Sequence, residues 1–100
     1  MIILGCFLYL KLWEMKKTLY LILKEDPFNR ILSGSKKIEY RDKSNYWKKR
    51  LDDKAFDYVH FRHGYSKTAR CMLVEHLGMD VTERYEIKLG KIIETEYVDE

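Results

Sequence analysis

The sequence predicts a small, mainly β member of the α+β class, a partly closed barrel with two short helices. Three observations predict it. One hundred residues, 46% of them hydrophobic, suffice for a single domain with a modest core. The elements are short and read in the order β-α-β-α-β-β-β. The connections between the last strands are too short for the crossovers of a parallel sheet.

Residues 1–12 form an apolar run, interrupted only by Gly5 and Lys11. It is shorter than the roughly 20 residues that span a bilayer, and no basic segment precedes it. Neither a membrane helix nor a secretory leader is expected. Leu4-Gly5-Cys6 has the look of a lipoprotein box but stands too near the start. Met15 directly precedes Lys16-Lys17 and the first convincing strand. Residues 1–14 are therefore expected to be an extension outside the domain proper, with Met15 a second candidate start, and residues 15–100 the domain. An added edge strand or an apolar tail are the alternatives for the extension.

Residues 18–24 are almost continuously apolar, as in a central strand with both faces covered. Asp26 is placed as an N-cap and Pro27 at the first helical position. Phe28, Ile31 and Leu32 recur at helical spacing, and Gly34 sits where a left-handed C-cap belongs. A strand follows over residues 37–41, with Lys37, Glu39 and Arg41 on one face and Ile38 and Tyr40 on the other. Ser44 caps a second short helix over residues 45–51, with Trp47, Arg50 and Leu51 on one stripe. Strands are expected over residues 56–63 and 68–77. In the last strand Tyr85, Ile87 and Leu89 alternate with Arg84, Glu86 and Lys88, and Gly90 shifts the phase, which predicts a bulge or barrel corner.

Charge is unevenly spread. The net charge is +3, but residues 36–50 carry +5 and residues 60–70 carry +3, leaving −5 for the remainder. Such a split suits a phosphate-bearing partner, with a solvated basic surface as the alternative. No C-x-x-C, H-E-x-x-H or Walker glycine loop occurs, so no metal or other cofactor is expected. Cys6 and Cys71 lack metal spacing and read as reduced thiols of a cytoplasmic protein.

The spacing Gly34-x-Lys36-x-x-Glu39-x-Arg41 resembles the G-x-K-x-x-E-x-R signature of ASCH domains, small members of the PUA-like β-barrel superfamily. The resemblance runs over about residues 18–94, and the Arg62-x-Gly64-Tyr65-Ser66-Lys67 loop fits it as well. It implies a cleft between barrel and helix that binds RNA or a modified nucleoside in a bacterial or phage type of protein. Lys36, Glu39 and Arg41 would line that cleft, with Arg62, Tyr65 and Lys67 as further ligand-binding residues. Arg41 would hold a phosphate or base edge as a planar fork. Glu39 would accept from an exocyclic amine or orient the two cations. Without the resemblance, Glu39 and Arg41 read equally as a strand-surface ion pair, which is worth about 0–1 kcal/mol.

Small bacterial relatives in the family remove the N4-acetyl group of acetylcytidine with a Lys, a Thr and a Glu. The Lys would match Lys36 and the Glu would match Glu75. The Thr position holds Glu39, which has no nucleophilic hydroxyl, so a water activated by Glu39 or Glu75 would have to serve. Three functions therefore stand open: RNA or nucleoside binding first, an amidohydrolase with Lys36, Glu39 and Glu75 as catalytic residues, or a protein-interaction module. Trp47 reads as an inward anchor and His76 as a strand-surface histidine. The partner expected is RNA or a nucleoside, with no membrane and a monomer as default.

Overall fold

The computed structural model of the protein describes residues 17–98. The elements follow in the expected order: β1 (Thr18–Ile22), α1 (Glu25–Leu32), β2 (Ile38–Arg41), α2 (Asn45–Leu51), β3 (Tyr58–Arg62), β4 (Cys71–Val81) and β5 (Tyr85–Glu96). The strands make one sheet in the spatial order β1-β3-β4-β5-β2. β1 runs parallel to β3, and the other described pairings are antiparallel. The sheet curls into a half-barrel. Its outermost strands, β1 and β2, line the same cleft although three strands separate them in the sheet. The extension expected over residues 1–14 lies outside the described residues.

The core fills the inner side of the curl. Leu19 and Leu21 of β1, Val59 and Phe61 of β3, Met72 and Val74 of β4, and Tyr85, Ile87 and Leu89 of β5 pack together there. Phe28 and Ile31 of α1 and Leu51 of α2 close it from the helical side. The alternation expected of β5 is present, with Tyr85, Ile87 and Leu89 the buried set.

Two sequence expectations change. β1 is not a central strand with both faces covered. Among the described residues it pairs only with β3, and Leu19 and Leu21 alternate with exposed Tyr20 and Ile22. The strand with both faces buried is the first part of β4, Cys71 through Val74. An apolar run does not by itself distinguish these cases, because an edge strand beside a cleft also carries apolar groups outward. Second, α1 starts at Glu25 with Lys24 as its N-cap, so Asp26 and Pro27 sit inside the first turn. Pro27 costs no helical bond there, since the first N–H groups of a helix have no intrahelical acceptor. The first donor is Phe28, whose N–H reaches Lys24 O at 3.2 Å.

The end of α1 is as the sequence predicts. Gly34, at φ +88°, donates to Ile31 O, and Ser35 donates to Arg30 O, each at 3.0 Å. These two bonds are a Schellman closure, which glycine enters without steric cost. α2 also begins as expected, with the Ser44 hydroxyl accepting from Trp47 N–H. Past its end, the Tyr85 hydroxyl donates to Asp52 Oδ1 at 2.5 Å and ties the helix to β5. That bond, with burial behind it, pushes the Tyr85 phenol up to about 12.

β4 continues past Gly78 to Val81 because β5 pairs along its whole length. The pairing shifts register around Val74 and His76, across from Gly90, where the sequence places a bulge. Glu75 fills the irregularity and accepts from Lys91 N–H at 2.9 Å. A Cβ on Gly90 would lie 2.5 Å from Glu75 Oε1 and 2.9 Å from Glu75 Cβ.

Gly90→Ala is therefore expected to destabilise the protein by about 1–3 kcal/mol in urea unfolding, the usual cost of overpacking. An unchanged midpoint would mean that the Glu75 side chain moves aside freely. Tyr85 supplies a pH prediction. Its folded phenol ionises later than an unfolded one near pH 10, so its contribution is complete below pH 10 and disappears as pH rises through about 12. Thermal midpoints between pH 9 and 12 should fall more steeply for the native protein than for Tyr85→Phe. Parallel curves would remove the Asp52 bond as the cause.

Candidate functional site

β2 pairs Glu39 with Ile87 and Arg41 with Tyr85. Ile87 and Tyr85 face the core, so this register turns both charged side chains inward and turns Ile38 and Tyr40 outward. Glu39 is only 5% exposed and is the one buried charged residue among those described. An ionised carboxylate removed from water needs partners. Arg41 Nη1 donates to Glu39 Oε2 and, at 2.7 Å, to Tyr40 O. Lys36 Nζ stands 3.4 Å from Glu39 Oε1. That contact is an ion pair without hydrogen-bond alignment, so the buried Oε1 has no hydrogen-bond donor. Lys36 is delivered by the closure of α1, where its own N–H shares Arg30 O with Ser35.

Arg41 links this triad to open space. Its guanidinium carbon is 5.2 Å from the centre of the Trp47 ring. Both line a cleft of about 250 Å³, together with Tyr46 of α2, Tyr65 of the β3–β4 loop and residues 20–22 of β1. Tyr46 and Trp47 meet edge to face at 4.8 Å, and Arg50 lies 3.7 Å from the Tyr46 ring centre. Trp47 is half-buried and serves both as the anchor of α2 and as a cleft wall. The cleft is thus an arginine among four aromatic residues.

The loop that carries Tyr65 is held from below. Arg62 Nε donates to Gly64 O at 3.1 Å, and its Nη2 donates to Ser66 O. Arg62 therefore shapes the loop. Tyr65 stands 85% exposed at the rim, and Lys67 is exposed two residues on.

Glu75 stands apart from this group. By register it shares the face of Tyr58, opposite to the core-facing Met72 and Val74, and its carboxylate takes Lys91 N–H. Among the described residues no ion pair or hydrogen bond joins it to Lys36 or Arg41. His76 is not a plain surface histidine. It pairs opposite Leu89, its ring is 5.7 Å from Phe56, and burial pushes its pKa down. No group of three or more His, Cys, Asp or Glu side chains among the described residues could hold a metal ion. No described helix is long and apolar enough to cross a membrane.

Of the residues singled out in the sequence, Lys36, Glu39 and Arg41 come together, and Arg41 and Tyr65 meet at the cleft. The sequence does not mark Tyr20 or Tyr46 as cleft residues, yet both line it. Their signal was weak: Tyr20 sits in a run read as covered on both faces, and Tyr46 lacks helical spacing to the core residues. No family model, curated protein or solved structure matches this chain.

The buried triad predicts a double-mutant result. Arg41→Met leaves the Glu39 carboxylate with Lys36 alone and should cost about 3 kcal/mol of stability. Adding Glu39→Leu should restore part of that loss. Strictly additive losses in denaturant unfolding would show that the two side chains are not energetically coupled.

Proposed function

We propose that the cleft binds RNA or a modified nucleoside through one base, as the resemblance to ASCH domains implies. One observation carries the proposal: Arg41, fixed by the buried Glu39, stands among Tyr20, Tyr46, Trp47 and Tyr65 in a cleft of about 250 Å³. That volume falls just below the roughly 300–1,000 Å³ of pockets for drug-sized ligands, and suits a single base. Every base has a π-face, so aromatic walls bind it with little sequence preference, at about 1–3 kcal/mol per stacked base. Arg41 commits Nη1 to Glu39 and to the Tyr40 carbonyl and keeps its remaining N–H donors for a base edge or phosphate. Held this way, the guanidinium loses little freedom when a ligand arrives.

The surroundings support the same function. Lys43, Lys48, Lys49 and Arg50 lie exposed on and beside α2, and Lys67 lies on the opposite loop. A strand with its base in the cleft would pass its phosphates between these cations, and the logarithm of the affinity would fall linearly with the logarithm of salt concentration.

Fluorescence anisotropy with a short unstructured RNA, and calorimetry with free nucleosides including N4-acetylcytidine, test the proposal. Arg41→Lys keeps the charge but loses the fork, and should weaken binding about tenfold. Trp47→Leu should weaken it by about 1–3 kcal/mol. Failure of the native protein to bind any RNA or nucleoside would remove the proposal.

A further inference from the structure

A second hollow adjoins the cleft on the outer face of the sheet. It encloses about 460 Å³, shares residues 20–22 of β1 with the cleft, and adds His60, Arg62, Cys71 and Glu96. Residues 20–22 of β1 line both spaces, so the two adjoin along one strand. Tyr20, 69% exposed, forms the crest between them, and the His60 ring lies 5.4 Å from it on the hollow side.

We infer that the two hollows are adjacent subsites for successive nucleotides, so that the ligand is a single strand and its second base occupies the outer hollow against Tyr20 and His60. This inference rests on the base-binding reading of the cleft and extends it from one nucleotide to two.

The chemistry of the hollow suits a base better than a phosphate. Arg62 and Glu96 contribute one charge of each sign, and the Arg62 guanidinium is already engaged by the loop carbonyls of Gly64 and Ser66. Burial pushes His60 down toward its neutral form and pushes the Cys71 thiol up, away from thiolate. A hollow with no net charge, an imidazole and a phenol ring on its walls, and Ile22 and Cys71 beside them offers stacking and apolar contact. A phosphodiester crossing the crest at Tyr20 remains on the solvent side. The same Arg62 that lines the hollow holds the Tyr65 loop over the cleft, so the two subsites share a support.

The test is calorimetric titration with 5′-phosphorylated mono-, di- and trinucleotides of each of the four bases, at two salt concentrations. The dinucleotide should bind roughly 5- to 150-fold tighter than the mononucleotide, the value of one stacked base. The third nucleotide should add a smaller step that vanishes at high salt. His60→Ala should abolish the first step and leave mononucleotide affinity unchanged. His60→Gln, closer in volume, serves as the second variant should the alanine protein fold poorly. Equal affinities for mono- and dinucleotides overturn the second subsite while leaving the cleft intact. A step that survives in His60→Gln also overturns it, because the second base then rests elsewhere. If no mononucleotide or longer strand binds, the cleft proposal falls and this inference falls with it.

Discussion

The Glu39 carboxylate, buried on the inner face of β2, is the constraint on which the rest of the site depends. Its position follows from the pairing of β2 with β5, which sets it opposite Ile87. Taking a charge out of water costs several kcal/mol unless partners return it. Two cations do so from different directions: Arg41 from the same strand and Lys36 from the end of α1. An apolar side chain at position 39 would pack against Ile87 with no such demand. What the carboxylate adds is orientation, because it holds Arg41 by one nitrogen in front of Trp47.

The half-barrel turns this local arrangement into a cleft. An open five-stranded sheet would hold β1 and β2 far apart, at its opposite edges. Curling brings the two edges toward one another, and α2 and the Tyr65 loop wall the space between them. The bulge at Glu75 and Gly90 gives β4 and β5 a local bend of the kind a curled sheet requires. Glu75 is thus a structural carboxylate that takes a backbone N–H of the bulged strand. The paired charges at Lys36, Glu39 and Arg41 are instead concentrated on and beside β2, an edge strand of the sheet.

Local chemistry made much of the fold legible. Gly34 ends α1 at the predicted residue because only a left-handed residue completes the Schellman bonds there. Ser44 starts α2, and strict alternation identifies the buried set of β5, for reasons equally local. Gly90 marked the bulge because a side chain there would meet Glu75. In the site, the chain segment from Gly34 to Arg41 displayed its charged cluster openly, since three of its members lie on or beside one strand.

By itself, the sequence determined the element order, the closure of α1 at Gly34, the start of α2 at Ser44, the charged cluster and the Tyr65 loop, all of which are decided by residues a few positions apart. Only the tertiary structure decided which face of β2 points inward, because that depends on its register with Ile87 and Tyr85, more than 40 residues later. It likewise decided that β1 is an edge, that Glu75 serves the bulge, and that Tyr20 and Trp47 share a cleft with Arg41. An alternating strand is compatible with either orientation. The burial of one face is settled only when a partner strand and two helices supply the other side of the core.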